Sequence, residues 1–293
     1  MKNNAESKLS ELKNLKANLG GSSFHTKKSL GQNFLVNESI ALAIVDGADI
    51  GDEDIVLEIG PGVGSLTRYL LPRAKKVVAV ELDKNAIPLL INNTKEFNNL
   101  EIINADILKV DLSQTFVGIK KIKVVANLPY YITSPILMYL LENKLGLESI
   151  TVMVQKEVGM RILASPGTKS YGILTLAVKY YAEASLVTNV GKENFFPIPK
   201  VDSVVIKLQL KDKYLFLDKD MELKFFQLIK SGFSMRRKNM LNSFAGIFGG
   251  DKNAVKEFLD KGDIDGKRRA ETLSIEEYIK LTKLRRPAMK SQP

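Results

Sequence analysis

Apolar residues along this chain follow two rhythms. Short uninterrupted runs, bounded by glycine, proline or charged residues, occur at Ile55–Ile59, Val77–Glu81, Leu100–Asp106, Lys123–Val125, Ile150–Val154, Leu186–Val190 and Val204–Leu210. Runs of this length, rich in Val and Ile, predict buried strands. Between them apolar residues fall at helical spacing. A helix is expected from Asn37 as N-cap, with Ile40, Ala41, Ile44 and Val45 inward. Others are expected after Gly64, over Lys84–Asn93, from Ser134 as N-cap with Pro135 at the first turn, over Lys156–Ala164 and over Ile173–Tyr181. This alternation is that of an open α/β sheet. From about residue 212 the strand signal stops, and 221–233, 236–248, 252–261 and 274–284 read as helices. Near the start, Leu9, Leu12, Leu15 and Leu19 predict a short amphipathic helix over 5–19, followed by a Gly-Gly-Ser-Ser linker.

Composition narrows the chemistry. The 293 residues are enough for two domains. No apolar run approaches the ~20 residues of a membrane span, so no membrane is expected as a partner. There is no cysteine and one histidine, His25. Disulfides, thiol nucleophiles, zinc–thiolate sites and multi-histidine metal sites are therefore excluded, and a reducing cytoplasm is the expected location. The net charge of +10 is uneven: +4 in residues 1–30, −1 in 31–210 and +7 in 211–293. A near-neutral core with basic ends suits a polyanion gripped from outside the central fold.

The candidate chemistry gathers at the carboxyl ends of the expected strands, where open α/β sheets bind ligands. The first strand runs into Gly60-Pro61-Gly62-Val63-Gly64, a turn whose glycines let the backbone approach a ligand. Ser65 stands where a dinucleotide fingerprint needs its third glycine, so the loop suits a nucleoside whose charged group is not a pyrophosphate. Glu58 can order the loop or face a cation. Glu81 ends the second strand, 21 residues after Gly60, where an acid can take both hydroxyls of a ribose. Asp106 ends the third and could accept from an adenine amine. The fourth runs into Asn127-Leu128-Pro129-Tyr130, where Pro129 stops the ladder. Asn127 Oδ1 and the Leu128 carbonyl could accept both hydrogens of an exocyclic amine while Tyr130 stacks on its ring, a set suited to a flipped-out adenine. Phe195-Phe196-Pro197-Ile198-Pro199 is expected as a stiff loop offering an exposed ring face to a base. Arg236-Arg237-Lys238 and Lys267-Arg268-Arg269 are compact basic clusters suited to phosphates.

These motifs, in order, resemble the rRNA adenine N6,N6-dimethyltransferase family. The resemblance is carried by Gln32-Asn33-Phe34-Leu35, Glu58–Gly64, Asn127–Tyr130, Gln155-Lys156-Glu157, the Phe195-x-Pro197-x-Pro199-Lys200-Val201-Asp202-Ser203 run, Arg236–Lys238 and Arg269–Ser274. It covers roughly residues 27–285 and is closest to the branch acting on the small ribosomal subunit. It implies a class I S-adenosylmethionine-dependent methyltransferase, Rossmann-like, with a seven-stranded mostly parallel sheet and a small all-helical C-terminal domain. The expected division is a basic extension over 1–26, a catalytic domain over 27–211 and an RNA-binding helical domain over 212–293. By resemblance Asn33, Leu35, Gly60, Glu81, Asp106 and Asn127 hold the cofactor. Asn127, Leu128, Pro129 and Tyr130 form the target-adenine site, and Phe195 supplies a second stacking ring.

The implied reaction dimethylates the N6 amines of two adjacent adenosines near the 3′ end of 16S-type rRNA, with a small ribosomal subunit as partner and a monomer off the ribosome. The sulfonium is a good leaving group, so positioning carries much of the rate and no metal is expected. Three other readings use the same motifs. A large-subunit methylase of the macrolide-resistance type usually resembles Asn-Ile-Pro-Tyr where this chain has Leu128. An N6-adenine DNA methylase usually has Pro at that position. A non-catalytic ribosome-assembly factor could reuse the fold, although the cofactor residues here are intact.

Overall fold

The computed structural model describes residues 32–143, 146–211 and 218–285. Contacts divide the chain into two units. One extends to Gly159 and adds Glu183–Leu210; the other joins Met160–Ala182 to the segment from Lys211 onward. The expected boundary at 211/212 left 160–182 in the catalytic domain, whereas by contacts these residues group with the C-terminal helices. The expected helix over 5–19 and the linker after it lie outside the described residues.

Among the described residues the first unit is built on nine strands: β1 (Phe34–Leu35), β2 (Ile55–Ile59), β3 (Lys76–Glu81), β4 (Leu100–Asn104), β5 (Ile122–Asn127), β6 (Leu147–Gln155), β7 (Ala182–Val190), β8 (Phe195–Phe196) and β9 (Ser203–Leu210). Seven form one sheet in the order β4-β3-β2-β5-β6-β9-β7. The pairs from β4 through β6 are parallel, and β9 runs antiparallel to β6. The chain works outward from β2 to β4, then returns to the other side of β2 as β5. That reversal makes the crevice beyond Ile59 and Asn127 the topological switch point, where the two outgoing connections part and a ligand can enter.

The strands were legible because both sheet faces are covered. Val56, Leu57, Val77, Ala79, Val124 and Val125 are fully buried, so these strands read as continuous apolar runs. The helices obey the same arithmetic. In α1 (Glu38–Ala48) the Asn37 side chain accepts from the Ile40 amide, and Ala41, Ile44, Val45 and Ala48 face inward. Next come α2 (Thr67–Leu70), α3 (Ile87–Asn93), α4 (Leu112–Thr115), α5 (Thr133–Glu142) and α6 (Lys156–Ile162). Helix α5 starts earlier than the expected Ser134 cap. Its N-cap is Ile132, and the Thr133 hydroxyl donates to the Pro129 carbonyl at 3.0 Å.

At the amino-terminal edge of the sheet, Lys123 is buried and bonds the Asp54 carboxylate at 2.8 Å and the Asp49 carbonyl. Glu148 lies 3.7 Å away. A separate two-stranded ribbon pairs β1 with β8, Leu35 opposite Phe195 and Phe34 opposite Phe196.

The second unit contains α7 (Ile173–Tyr181), α8 (Lys219–Ser234), α9 (Met240–Ser243), α10 (Lys252–Lys261) and α11 (Ile275–Leu284). Its aromatic centre holds Tyr180, Tyr181, Phe225 and Phe226, with the Tyr180 and Phe225 rings stacked at 5.0 Å. A reciprocal Ser274–Glu277 capping box starts α11. The helix expected over 236–248 is broken: Asn239 caps a fresh turn at Met240, and Ala245–Phe248 tightens to a 3-10 turn.

Candidate active site

The carboxyl edge of the sheet opens into a cleft between the β2–α2 turn and the Asn127–Tyr130 segment. Its floor is the β2–α2 turn. Gly60, Gly62 and Gly64 have φ of +67°, +59° and +92°, which side-chain-bearing residues rarely adopt. A Cβ at Gly62 would also lie 2.9 Å from the Phe34 ring. The Gly62 amide donates to Glu81 Oε2 at 2.9 Å, and the Asp83 amide donates to Oε1 at 2.7 Å. Glu81 thus ties the glycine turn to the end of β3. A carboxylate has about four acceptor sites, so Glu81 keeps acceptor capacity toward the cleft. Burial raises the Glu81 carboxyl above its ordinary value, against the lowering effect of these amides.

Among the described residues three acids line the cleft, Glu58, Glu81 and Asp106, and no lysine or arginine does. Glu58 is buried, and its Oε2 has no hydrogen-bond partner among the described residues. Burial, with the Glu81 charge adding to it, pushes the Glu58 carboxyl up to about 8. Asp106 does not end β4, as expected, but follows it. Its Oδ1 caps a 3-10 turn at the Leu108 amide, 3.1 Å away.

On the opposite wall the Asn127 amide is oriented by its own protein. Its Nδ2 donates to the Asn33 carbonyl at 3.2 Å, so Oδ1 is the end left to accept. The Leu128 amide donates back to Met153 at 3.2 Å. The Pro129 carbonyl is used by Ile132 and Thr133. The Leu128 carbonyl accepts from no donor among the described residues. Two acceptors therefore stand together beside Tyr130. The Tyr130 hydroxyl is fixed to Ser203 Oγ at 2.7 Å, and burial raises it above the ordinary phenol range.

Asn33, Leu35, Gly60, Glu81, Asp106, Asn127, Leu128, Pro129 and Tyr130 all line this one cleft. Phe195 does not. Expected as an exposed stacking ring, it is 2 % exposed and packs in the core with Leu35, Ile44 and Val205. Its ladder pairing with Leu35 turns the ring inward. Phe196, its half-buried neighbour, packs against Phe34 and Val63.

The basic clusters divide in the same way. Arg236 donates to the Lys169 and Tyr171 carbonyls at 2.9 and 3.1 Å. Arg268 grips Glu277 with both terminal nitrogens, at 2.5 and 3.0 Å, and the Thr272 carbonyl at 2.7 Å. Arg268 is thereby committed within its own unit, whereas Arg236 uses one terminal nitrogen for both of these bonds and stays exposed. Arg237, Lys238, Lys267 and Arg269 are exposed. Sequence reasoning also assigned no role to Gln32, which lines the cleft and donates to the buried Asp83 at 2.8 Å, or to Ser203 as the partner of Tyr130. Contacts spanning 51 and 73 residues leave no local signal.

A seven-stranded sheet with this order and an acid-lined cleft at its switch point is that of a class I methyltransferase. Comparison with known proteins carries the assignment further. A family model described as ribosomal RNA adenine dimethylase matches residues 23–284, and the chain belongs to that family. A protein of Alkaliphilus metalliredigens named ribosomal RNA small subunit methyltransferase A is 48 % identical over 89 % of this chain and 92 % of its own length. One of the same name from Clostridioides difficile is 46 % identical over 89 % and 91 %. Among solved structures, a dimethyladenosine transferase from Plasmodium falciparum superposes with a TM-score of 0.72 at 30 % identity, over 84 % of this chain and 94 % of that one. The 23S rRNA methyltransferase ErmE does so at 0.67 and 27 %, over 86 % and 99 %.

Proposed function

We propose that this chain dimethylates the N6 amines of two adjacent adenosines near the 3′ end of small-subunit rRNA, with S-adenosylmethionine as methyl donor. The observation that carries this reading is the oriented amide of Asn127, its Oδ1 turned to accept next to the Leu128 carbonyl. The family membership and the relatives named as small-subunit methyltransferases support the substrate.

The cleft fits the cofactor. Its acids, with no basic side chain among the described lining residues, favour a nucleoside carrying positive groups over one carrying a pyrophosphate. When bound, S-adenosylmethionine supplies an electrophilic methyl group on a sulfonium. Glu81 would hold the ribose hydroxyls, Asp106 the adenine amine, and the Gly60 turn, Asn33 and Leu35 the remaining faces. Asn127 Oδ1 and the Leu128 carbonyl would take both hydrogens of the target amine. That grip draws the nitrogen toward tetrahedral geometry and frees its lone pair to point into the cleft. Tyr130, anchored by Ser203, would stack on the target base, and Pro129 fixes the turn that presents all three. The rate gain then rests mainly on orientation.

The reading assigns the cleft and its chemistry to the first unit and RNA affinity in the second to exposed Arg237, Lys238, Lys267 and Arg269. It treats the protein as a cytoplasmic monomer off the ribosome. Among the described residues no helix is long and apolar enough to cross a membrane.

The test supplies labelled S-adenosylmethionine with undermethylated small subunits, large subunits or duplex DNA, and reads the nucleosides by mass spectrometry. Dimethyladenosine from small subunits, at close to two labels per modified base, is the expected result. Label in large subunits or DNA alone would overturn the substrate assignment.

A further inference from the structure

The first unit has a second cleft, lined by Gln155, Lys156, Glu157, Lys192, Lys200, Val201 and Asp202. Three chain segments meet there: the end of β6 with the start of α6, the turn after β7, and the approach to β9. Lys156, Lys192 and Lys200 are all exposed, and none of the three ammonium groups pairs with a carboxylate among the described residues. Asp202 holds the segments together by its backbone and side chain. Its carbonyl accepts from the Lys156 amide at 3.0 Å, and its carboxylate from the Lys192 amide at 3.1 Å.

Position gives this cleft its meaning. Gln155 pairs with Ser203 in the β6–β9 ladder, and Ser203 carries the Tyr130 hydroxyl. The lysines therefore surround the residues next to the anchor of the proposed base-stacking ring. A base drawn out of its stack leaves its sugar-phosphate strand outside the pocket, and that strand needs cations at the rim. Among the described residues the first cleft supplies none.

We propose that Lys156, Lys192 and Lys200 bind RNA backbone phosphates flanking the target adenosine, as positioning residues for the flipped base. This inference rests on the methyltransferase reading above. It predicts that catalytic-unit phosphate contacts, separate from those of the helical unit, set the affinity for substrate.

The test uses the full chain with Lys156→Gln, Lys192→Gln and Lys200→Gln combined, and a second variant with all three changed to Arg. Initial methylation rates on undermethylated small subunits are measured across a potassium chloride series. Filter binding to protein-free small-subunit rRNA and equilibrium binding of S-adenosylmethionine run in parallel. The Gln variant should raise KM about tenfold or more while kcat and cofactor affinity stay within about twofold. The slope of log affinity against log salt should fall by about 2, the release expected from three phosphate contacts at roughly 0.7–0.9 each. The Arg variant should restore both. Unchanged KM and salt slope in the Gln variant, with normal wild-type dimethylation, would overturn this inference alone. Weakened use of subunits with unchanged binding to protein-free rRNA would also overturn it, by making the partner a ribosomal protein. Absence of methylation by wild type would instead overturn the underlying reading.

Discussion

The two ends of the central sheet treat charge in opposite ways. At the amino-terminal edge, Lys123 lies against Asp54, with Glu148 beside it, and the buried charge is matched. At the carboxyl edge, Glu58, Glu81 and Asp106 line one cleft with no basic side chain among its described lining residues. The pKa directions follow. Asp54 is lowered despite its burial, because Lys123 and the Gly51 amide favour the carboxylate. Glu58 is raised, because burial meets no cation. A matched edge serves stability; an edge left with unmatched acid is built to receive something positive. Removing the matched cation at one end should cost stability, and removing an acceptor at the other should cost chemistry.

The largest effect is expected at the carboxyl edge. Asn127→Ala removes an amine acceptor and should lower single-turnover methylation by about a thousandfold or more, several kcal/mol of orientation and polarisation. RNA binding and melting temperature should stay near wild type. Near-normal turnover in that variant would break the assignment of the site. At the other edge Lys123→Ala should destabilise the fold by about 2 kcal/mol, less than a fully buried pair because Asp54 is partly exposed. Denaturant unfolding would read this, and cofactor affinity of the folded fraction should not change. Loss of cofactor binding without loss of stability would contradict the division between the two ends.

A further effect, visible only as a change with pH, separates the edges. Glu58 is protonated more readily in the fold, near 8, than at its ordinary value of 4.5. The native state therefore binds more protons than the unfolded chain between those values, and stability falls as pH rises through that window. Glu58→Gln keeps a neutral side chain throughout. Its melting temperature relative to wild type should climb from pH 5 to pH 8, with a limiting difference on the order of 4 kcal/mol. Parallel curves across that range would show that Glu58 is not held neutral. Asp54 has the opposite sign: its contribution is present above 3.8 and is lost as pH falls through its lower folded value.

What could be read from the sequence follows from how each contact is made. The buried parallel strands announced themselves as uninterrupted runs such as Val77–Val80, and the residues ending them fell at the ligand edge because that edge is a property of the topology. The β1–β8 ribbon was missed because two residues are too few to show a period, and that omission led to Phe195 being read as an exposed ring. The orientation of Asn127 depends on the Asn33 carbonyl, 94 residues away, which no local pattern encodes. The basic clusters looked uniform as sequence. Only folding separates Arg268, bound to Glu277 and the Thr272 carbonyl, from its neighbours Lys267 and Arg269, left in solvent.

The central claim is that unmatched acid at the carboxyl edge holds a cationic nucleoside cofactor. Isothermal titration of the full chain with S-adenosylmethionine and with NAD, in wild type and in Glu81→Ala, tests it most directly. The account predicts binding of S-adenosylmethionine, weakened at least about tenfold by Glu81→Ala, with no measurable binding of the pyrophosphate-bearing dinucleotide. Comparable binding of both cofactors, or an unchanged affinity in Glu81→Ala, would contradict it.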